Sequence, residues 1–329
     1  MALFIGMDEA GYGPNLGPLV ISATVWEIPG NPKKCDLWDE FSGIVDQAPP
    51  EDGSHIQIAD SKAVYSPARG LANLENGVLH ALSLWRRSAP DDGAQPCGSA
   101  AGIPESFRAL LRDVATVPPE AIDCEPWYVG CDVALPAPEP AALCESWFQR
   151  CRARKIRLRA IRSEVVLTRR FNDHVRSHDN KARALSEMSM QLLRHVWCEA
   201  AGDGHDSALI LADKHGGRNR YHEFLPIVFG DRFIRCHAES LDASRYRVGN
   251  AEVRFEARSE RYLPVALASM VSKYVRELAM VLFNRFWVER QPNLKPTAGY
   301  PGDSRRFKDE ITALQKALGI AEQELWRER

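Results

Sequence analysis

Ile5-Gly6-Met7-Asp8-Glu9-Ala10-Gly11-Tyr12-Gly13-Pro14-Asn15-Leu16-Gly17-Pro18 holds two adjacent carboxylates and four glycines, with an apolar run on either side. The run before it, Ala2-Leu3-Phe4-Ile5, reads as a buried strand. The run after it, Leu19 to Trp26, is rich in β-branched and aromatic residues and reads as a second strand. Neighbouring side chains on a strand point to opposite faces. Asp8 and Glu9 are therefore expected to share a site only if the first strand ends and turns at them. Gly11, Gly13 and Gly17 allow such a turn and let a ligand approach the backbone closely.

Working outward, Ile56-Gln57-Ile58-Ala59 leads into Asp60-Ser61-Lys62 and then a helix from Leu71 to Arg87. Asp60 and Ser61 suit a helix start, and Lys62 can meet a phosphate as a point charge. A short helix is expected near Leu37 to Val45, and the rest of 27–55 reads as loop. From Ser88 to about Pro140 the sequence turns rich in proline, glycine and alanine, including Pro90-Asp91-Asp92-Gly93 and Gly98 to Gly102. Helices are expected over Pro104 to Thr116 and Pro140 to Arg154. Trp127 and Tyr128 either stack on bases or form a small local core.

Residues 150–170 are the most basic part of the chain. Lys155-Ile156-Arg157-Leu158-Arg159-Ala160-Ile161 alternates, so Arg157 and Arg159 share one face of a strand. That face either blocks edge pairing or contacts phosphates. A helix follows from Asn172 to Ala200, stopped by Gly202-Asp203-Gly204. Ala208 to Asp213 is an apolar strand ending in a carboxylate, and His215 just beyond it suits a loop hydrogen bond. Strands follow at Phe233 to Ala238 and, as a hairpin about Gly249-Asn250, at Tyr246 to Phe255. Tyr262 to Val288 is a long helix, and another runs from Ser304 to Leu318. Trp326 and the arginine-rich residues after it are expected to fray.

The chain has 329 residues, 45% hydrophobic and 26% charged, with net charge -2, enough for a full core. That balance gives no global sign of a nucleic-acid binder, so any such surface must be a local basic patch. Eight cysteines form no Cys-x-x-Cys pair and read as free thiols. No signal-peptide pattern or membrane-length apolar run occurs, so a cytoplasmic setting without a membrane partner is expected. Nothing in the sequence sets an oligomeric state.

Asp8-Glu9-Ala10-Gly11-x-Gly13-Pro14 followed by Gly17-Pro18-Leu19-Val20 resembles the signature of the type 2 ribonucleases H, ribonuclease HII and HIII. Tyr12 stands where that family usually has arginine. Asp60-Ser61-Lys62, Asp213 at its strand end, Arg258-Ser259-Glu260 before the Ala-Ser-rich helix, and Gly299-Tyr300 before the last helix resemble further family motifs in the family's order. The resemblance implies one ribonuclease H-like α/β domain over 1–329. Its three layers are a mixed central sheet flanked by helices, with a helical insertion over roughly 88–149.

It also implies a phosphodiester hydrolase acting on the RNA strand of RNA–DNA hybrids. Asp8, Glu9, Asp213 and Glu260 would be the catalytic and metal-binding carboxylates, with Glu256 a competitor for the fourth place. Four gathered carboxylates need cations, and hard oxygen ligands suit Mg²⁺ or Mn²⁺. Two such ions about 4 Å apart would activate water and stabilise the leaving oxygen. The Gly11 to Gly13 backbone would approach the ribose 2′-hydroxyl, and Tyr300 would stack on a sugar or base or simply support the fold. The rival readings are a nuclease of this fold with another substrate and a nucleic-acid-binding protein without catalysis. Gathering of Asp213 and Glu260 separates the last from the others.

Overall fold

The computed structural model describes residues 1–88, 103–178, 180–201 and 207–328. The stretches 90–93 and 98–102 and the Gly202-Asp203-Gly204 helix stop lie outside the described residues. The chain begins with strands β1 (Ala2–Ala10) and β2 (Leu19–Ile28). Short elements follow: α1 (Leu37–Glu40), β3 (Val45–Asp46), β4 (Ile56–Gln57) and α2 (Ser61–Val64). Helices α3 (Ala72–Ser88), α4 (Phe107–Val114) and α5 (Ala141–Arg154) lead to β5 (Arg157–Val166). Then come α6 (Thr168–His178), α7 (Lys181–Ala201), β6 (Ser207–Asp213) and α8 (Pro226–Phe229). The chain closes with β7 (Ile234–Glu239), β8 (Ala243–Val248), β9 (Ala251–Glu256), α9 (Leu263–Arg290), α10 (Pro301–Ala317) and α11 (Glu322–Leu325).

Seven strands form one mixed sheet in the order β5-β2-β1-β6-β9-β8-β7. β1 pairs antiparallel with β2 and parallel with β6, and β6 pairs parallel with β9. One face carries α9 with α3, α4 and α5, around Phe4, Trp26, Val78, Trp147 and Phe283. The other carries α6, α7 and α8, around Ile5, Ile21, Phe171, Met188 and Ile210. This is the three-layer α/β arrangement with a mixed sheet that a ribonuclease H-like fold requires.

Helix α9 is apolar on nearly every side because it is buried along most of its length. It crosses β1 so closely that a side-chain carbon on Gly6 would lie 2.2 Å from the Pro264 carbonyl carbon. The Thr24 hydroxyl donates to the Pro264 carbonyl oxygen at 2.8 Å and ties β2 to the same turn.

Four expectations change. β1 does not stop at the acidic pair: Asp8 and Glu9 still sit opposite Ser22 and Ile21 of β2. The span from Asn172 to Ala200 is two helices, because Asn180 restarts the chain as a cap, its Oδ1 accepting from the Arg183 amide at 3.0 Å. Trp127 and Tyr128 are fully buried, and Trp127 packs against Phe283, Phe286 and Trp287 of α9. They therefore belong to the main core, neither facing bases nor forming a separate one. The helix near Leu37 is a single turn, since Val45 already pairs with β4.

A further change concerns the far end of the chain, which does not fray. Arg327 is 1% exposed, and its amide donates to the Asn15 carbonyl at 2.9 Å. Asn172 fixes the same segment, donating to the Gln323 and Trp326 carbonyls and accepting from the Glu328 amide at 2.8 Å.

Candidate active site

β1 and β6 run in register to Met7 and Ala212, which brings Asp8 level with Asp213 at the end of the next strand. Glu9 lies one step further, past the last β1–β6 pair, where β1 is flanked by β2 alone. Glu260 follows β9 in a one-turn 3-10 helix, Ser259–Arg261. Three segments distant in sequence thus bring four carboxylates to one edge of the sheet.

Their electrostatics show the crowding. Burial, Glu9, Asp213 and Glu260 push the Asp8 carboxyl well above its ordinary range, with a Ser269 hydrogen bond opposing. Burial, Asp213 and Glu260 push Glu9 up to about 8, with Lys62 opposing. Asp213 is raised by burial, although the Ser259 and Lys214 amides and Lys62 favour its charged form. Glu260 is raised by burial, Asp213 and Asp60. Like charges held together in low dielectric disfavour ionisation, and a cation would relieve that cost. The donor set is all hard oxygen and fits Mg²⁺ or Mn²⁺.

Glu256, the competing carboxylate, points into a different environment. It is buried among Arg245, Arg254 and Arg261, at 3.7 Å and 3.8 Å from the first two and hydrogen-bonded to the third. Three guanidiniums satisfy its charge as a structural ion pair.

Helix α9 supports the cluster from below. The Ser272 hydroxyl donates to the Asp8 carbonyl at 3.0 Å, and the Ser269 hydroxyl donates to Ser61 at 3.0 Å at the start of α2. Asp60 caps that helix, accepting from the Lys62 amide at 3.1 Å, so the capping reading of Asp60-Ser61-Lys62 holds. The Lys62 ammonium serves the other reading as well. Burial pulls its pKa down, but Asp60, Asp8, Glu260 and Asp213 outweigh that and raise it.

The glycine loop is locked by two buried arginines. Arg276 of α9 is 0% exposed and donates to the Leu16 and Ala298 carbonyls at 3.3 Å and 3.0 Å. Arg327 donates to the Gly11 and Pro14 carbonyls. Gly11, at φ +90°, leaves no room for a side chain: a β-carbon would lie 2.6 Å from Arg276 Nε. A β-carbon on Gly13 meets nothing within 4 Å, so that stretch of backbone faces open space.

The expected substrate contacts divide. Tyr12 lies against Gly216, with the Lys181 ammonium 4.8 Å from its ring centroid. Tyr300 is 45% exposed beside the loop, since Gly299 accepts from the Asn15 amide at 2.8 Å. Arg157 and Arg159 are not brought to the carboxylates. Arg157 sits opposite Glu27, which lies opposite Leu3, at the other end of the sheet. There Arg159 pairs with Glu27 at 3.6 Å, and Arg157 lines a surface cavity of about 420 Å³ with Arg87, Arg152 and Lys155. Alternation revealed their shared face but not their distance along the strand. His215 is buried, donates its backbone amide to the Tyr221 hydroxyl at 2.9 Å, and hydrogen-bonds through Nδ1 to Ser186 at 3.2 Å. Burial and Arg218 push it down to about 3, so its ring is neutral.

Ser272, Arg276, Lys181 and Arg327 were not singled out by the sequence reading. Arg276 stands between Lys273 and Glu277 in α9, so its charge alone did not mark it or Ser272 one turn before. Arg327 has no local signal, because its partners are over three hundred residues away.

No protein-family model matches the chain, and no curated protein matches it. Among solved structures, the chain is similar to ribonuclease HII of Archaeoglobus fulgidus, solved with PCNA, at 15% identity and TM-score 0.40, covering 99% of this chain and 94% of that one. It is similar to ribonuclease H2 of Pyrococcus horikoshii OT3 at 14% identity and TM-score 0.40, covering 98% and 92%. It is also similar to Bst ribonuclease HIII in complex with Mn²⁺ at 15% identity and TM-score 0.42, covering 99% of this chain and 66% of that one.

Proposed function

We propose that the chain is a metal-dependent endonuclease that hydrolyses the RNA strand of RNA–DNA hybrids. The observation that carries this reading is the convergence of Asp8, Glu9, Asp213 and Glu260 at the ends of adjacent strands, each raised in pKa by burial and all but Asp8 opposed in part by Lys62. These four residues would hold Mg²⁺ or Mn²⁺. When bound, such ions activate a water and stabilise charge on the departing oxygen of a phosphodiester.

The protein's own groups supply the rest. Ser269 and Ser272 fix Asp8 at its side chain and its carbonyl. Lys62 offers a point charge to the scissile phosphate from the side of α2. Arg276 and Arg327 turn loop carbonyls inward, and the open face at Gly13 admits a sugar close to the backbone. A ribose 2′-hydroxyl there is what distinguishes RNA from DNA. Tyr12 cannot bind phosphate by charge, but its ring seats the Lys181 ammonium, which returns a cation to that side of the loop. A cation on a separate helix favours a changed preference for single embedded ribonucleotides.

The test is cleavage of a labelled RNA–DNA hybrid with Mg²⁺ or Mn²⁺ by wild type and Asp8→Ala. Cutting by the wild type, lost in the variant, supports the reading. A folded wild type that binds the hybrid and cuts with neither metal overturns it in favour of a binding protein. Cutting of structured DNA or single-stranded RNA alone would keep the nuclease and replace the substrate.

A further inference from the structure

His174 and His178 stand four residues apart on α6, and Glu187 faces them from the second turn of α7. His178 Nε2 lies 3.4 Å from Glu187 Oε2, and His174 Nδ1 lies 4.0 Å from the same oxygen. The three atoms all fall within 4.8 Å of one another. The imidazole planes are inclined by only 16°.

The hydrogen bonds around them leave these atoms with lone pairs. His178 Nδ1 is 2.9 Å from the Ser177 hydroxyl and 3.1 Å from the His174 carbonyl oxygen, which can only accept, so a proton on Nδ1 is satisfied there while Nε2 faces Glu187. A backbone carbonyl bound to the far ring nitrogen is the usual support of a ligating histidine. His174 Nδ1 is buried without a hydrogen-bond partner. Arg183 donates to Glu187 Oε1 at 2.8 Å and leaves Oε2 for the imidazoles. Arg170, the other nearby cation, is occupied by Glu164. Two imidazole nitrogens and one carboxylate oxygen therefore converge.

We propose that His174, His178 and Glu187 form a binding site for a divalent transition ion, Zn²⁺ above all, separate from the carboxylate cluster. Two imidazoles and one carboxylate suit zinc and its neighbours in the series and do not suit Mg²⁺. Tetrahedral ligands at zinc distances lie roughly 3.3 Å apart, so small side-chain rotations close the site. An ion there ties α6 to α7 on either side of Asn180. It also fixes Lys181, the first residue of α7, above Tyr12.

The experiment titrates metal-free protein with Co²⁺ in excess Mg²⁺, followed by visible absorption, and then with Zn²⁺ by calorimetry. Co²⁺ on imidazoles at low coordination number absorbs strongly, whereas Co²⁺ on carboxylates and water is nearly colourless. One intense band that Zn²⁺ displaces and Asp8→Asn retains is expected. His174→Ala/His178→Ala should abolish the band and weaken Zn²⁺ at least about 100-fold, the scale set by loss of a ligand's support. If the double variant fails to fold by circular dichroism, the half-exposed His178→Gln alone serves, with the same loss expected. An undiminished band in a folded variant, a thiolate charge-transfer band from the cysteines, or no Zn²⁺ heat in the presence of Mg²⁺ overturns the proposal.

Discussion

Asp8 is held where its charge is least welcome, and that tension can be measured without substrate. The raised carboxyls favour their protonated forms in the folded state. For Glu9 the ordinary value is 4.5 and the folded value about 8. The stability this proton confers is present below 4.5 and is lost as pH rises through 8. Melting temperatures of metal-free protein should fall across that window, and Mg²⁺ or Mn²⁺ should restore them by neutralising the cluster. Asp8→Asn should raise the metal-free melting temperature, on the order of 5 °C, while reducing cleavage by at least roughly 10²-fold. A variant that melts lower than wild type at pH 8 would remove the repulsion from the argument. Two glycines make a second contrast at this scale. Gly13→Ala should leave stability within about 0.5 kcal/mol and cut hybrid cleavage roughly 10²-fold by obstructing the sugar. Gly11→Ala should instead destabilise by about 1–3 kcal/mol, because its backbone is left-handed and Arg276 fills the space.

At the scale of elements, what the sequence made legible was whatever lies close together in the chain. The alternation and apolar runs of β1, β2 and β6 were readable, and so was the end of β6 at Asp213. The acidic pair stood out in the sequence, but the turn expected at it does not occur. Asp8 and Glu9 meet the other carboxylates because β6 stops beside them, not because β1 turns. Glu260 and Glu256 differ by four positions, and no local pattern separates them. Packing does, by surrounding Glu256 with three arginines from β8, β9 and the turn beyond. Arg157 and Arg159 lie away from the carboxylates because periodicity reports a face, whereas reaching the carboxylates depends on position along β5. Helix α9 is the element on which the site depends most. Ser269→Ala should weaken the Asp8 hydrogen bond and detach the start of α2 that carries Lys62, at a cost of about 1 kcal/mol in stability. Its activity loss should appear as a lower kcat with the metal requirement unchanged.

For the whole molecule, the decisive contact is also the longest in sequence. Arg327 reaches Gly11 across 316 positions. Burial and Arg276 push its guanidinium down to about 9, so the fold tolerates a disfavoured charge in order to hold the loop. Arg327→Ala should forfeit about 2–4 kcal/mol, the scale of two charge-assisted hydrogen bonds, and release Gly11 and Pro14 together. Arg327→Met, which fills the cavity without donating, should recover part of the stability and none of the activity. Full activity in a stable Arg327→Met protein would show that the loop shapes itself.

The same contact orders events during protein synthesis. A ribosome finishes all four carboxylates well before it reaches residue 327. A chain interrupted between the end of α10 at Ala317 and residue 327, by a premature stop or by proteolysis, keeps α9 and the complete acidic set and lacks the residue that shapes the loop beside it. Such fragments should still bind metal and should not cut. On the function proposed above, cleavage would report that translation has passed residue 327.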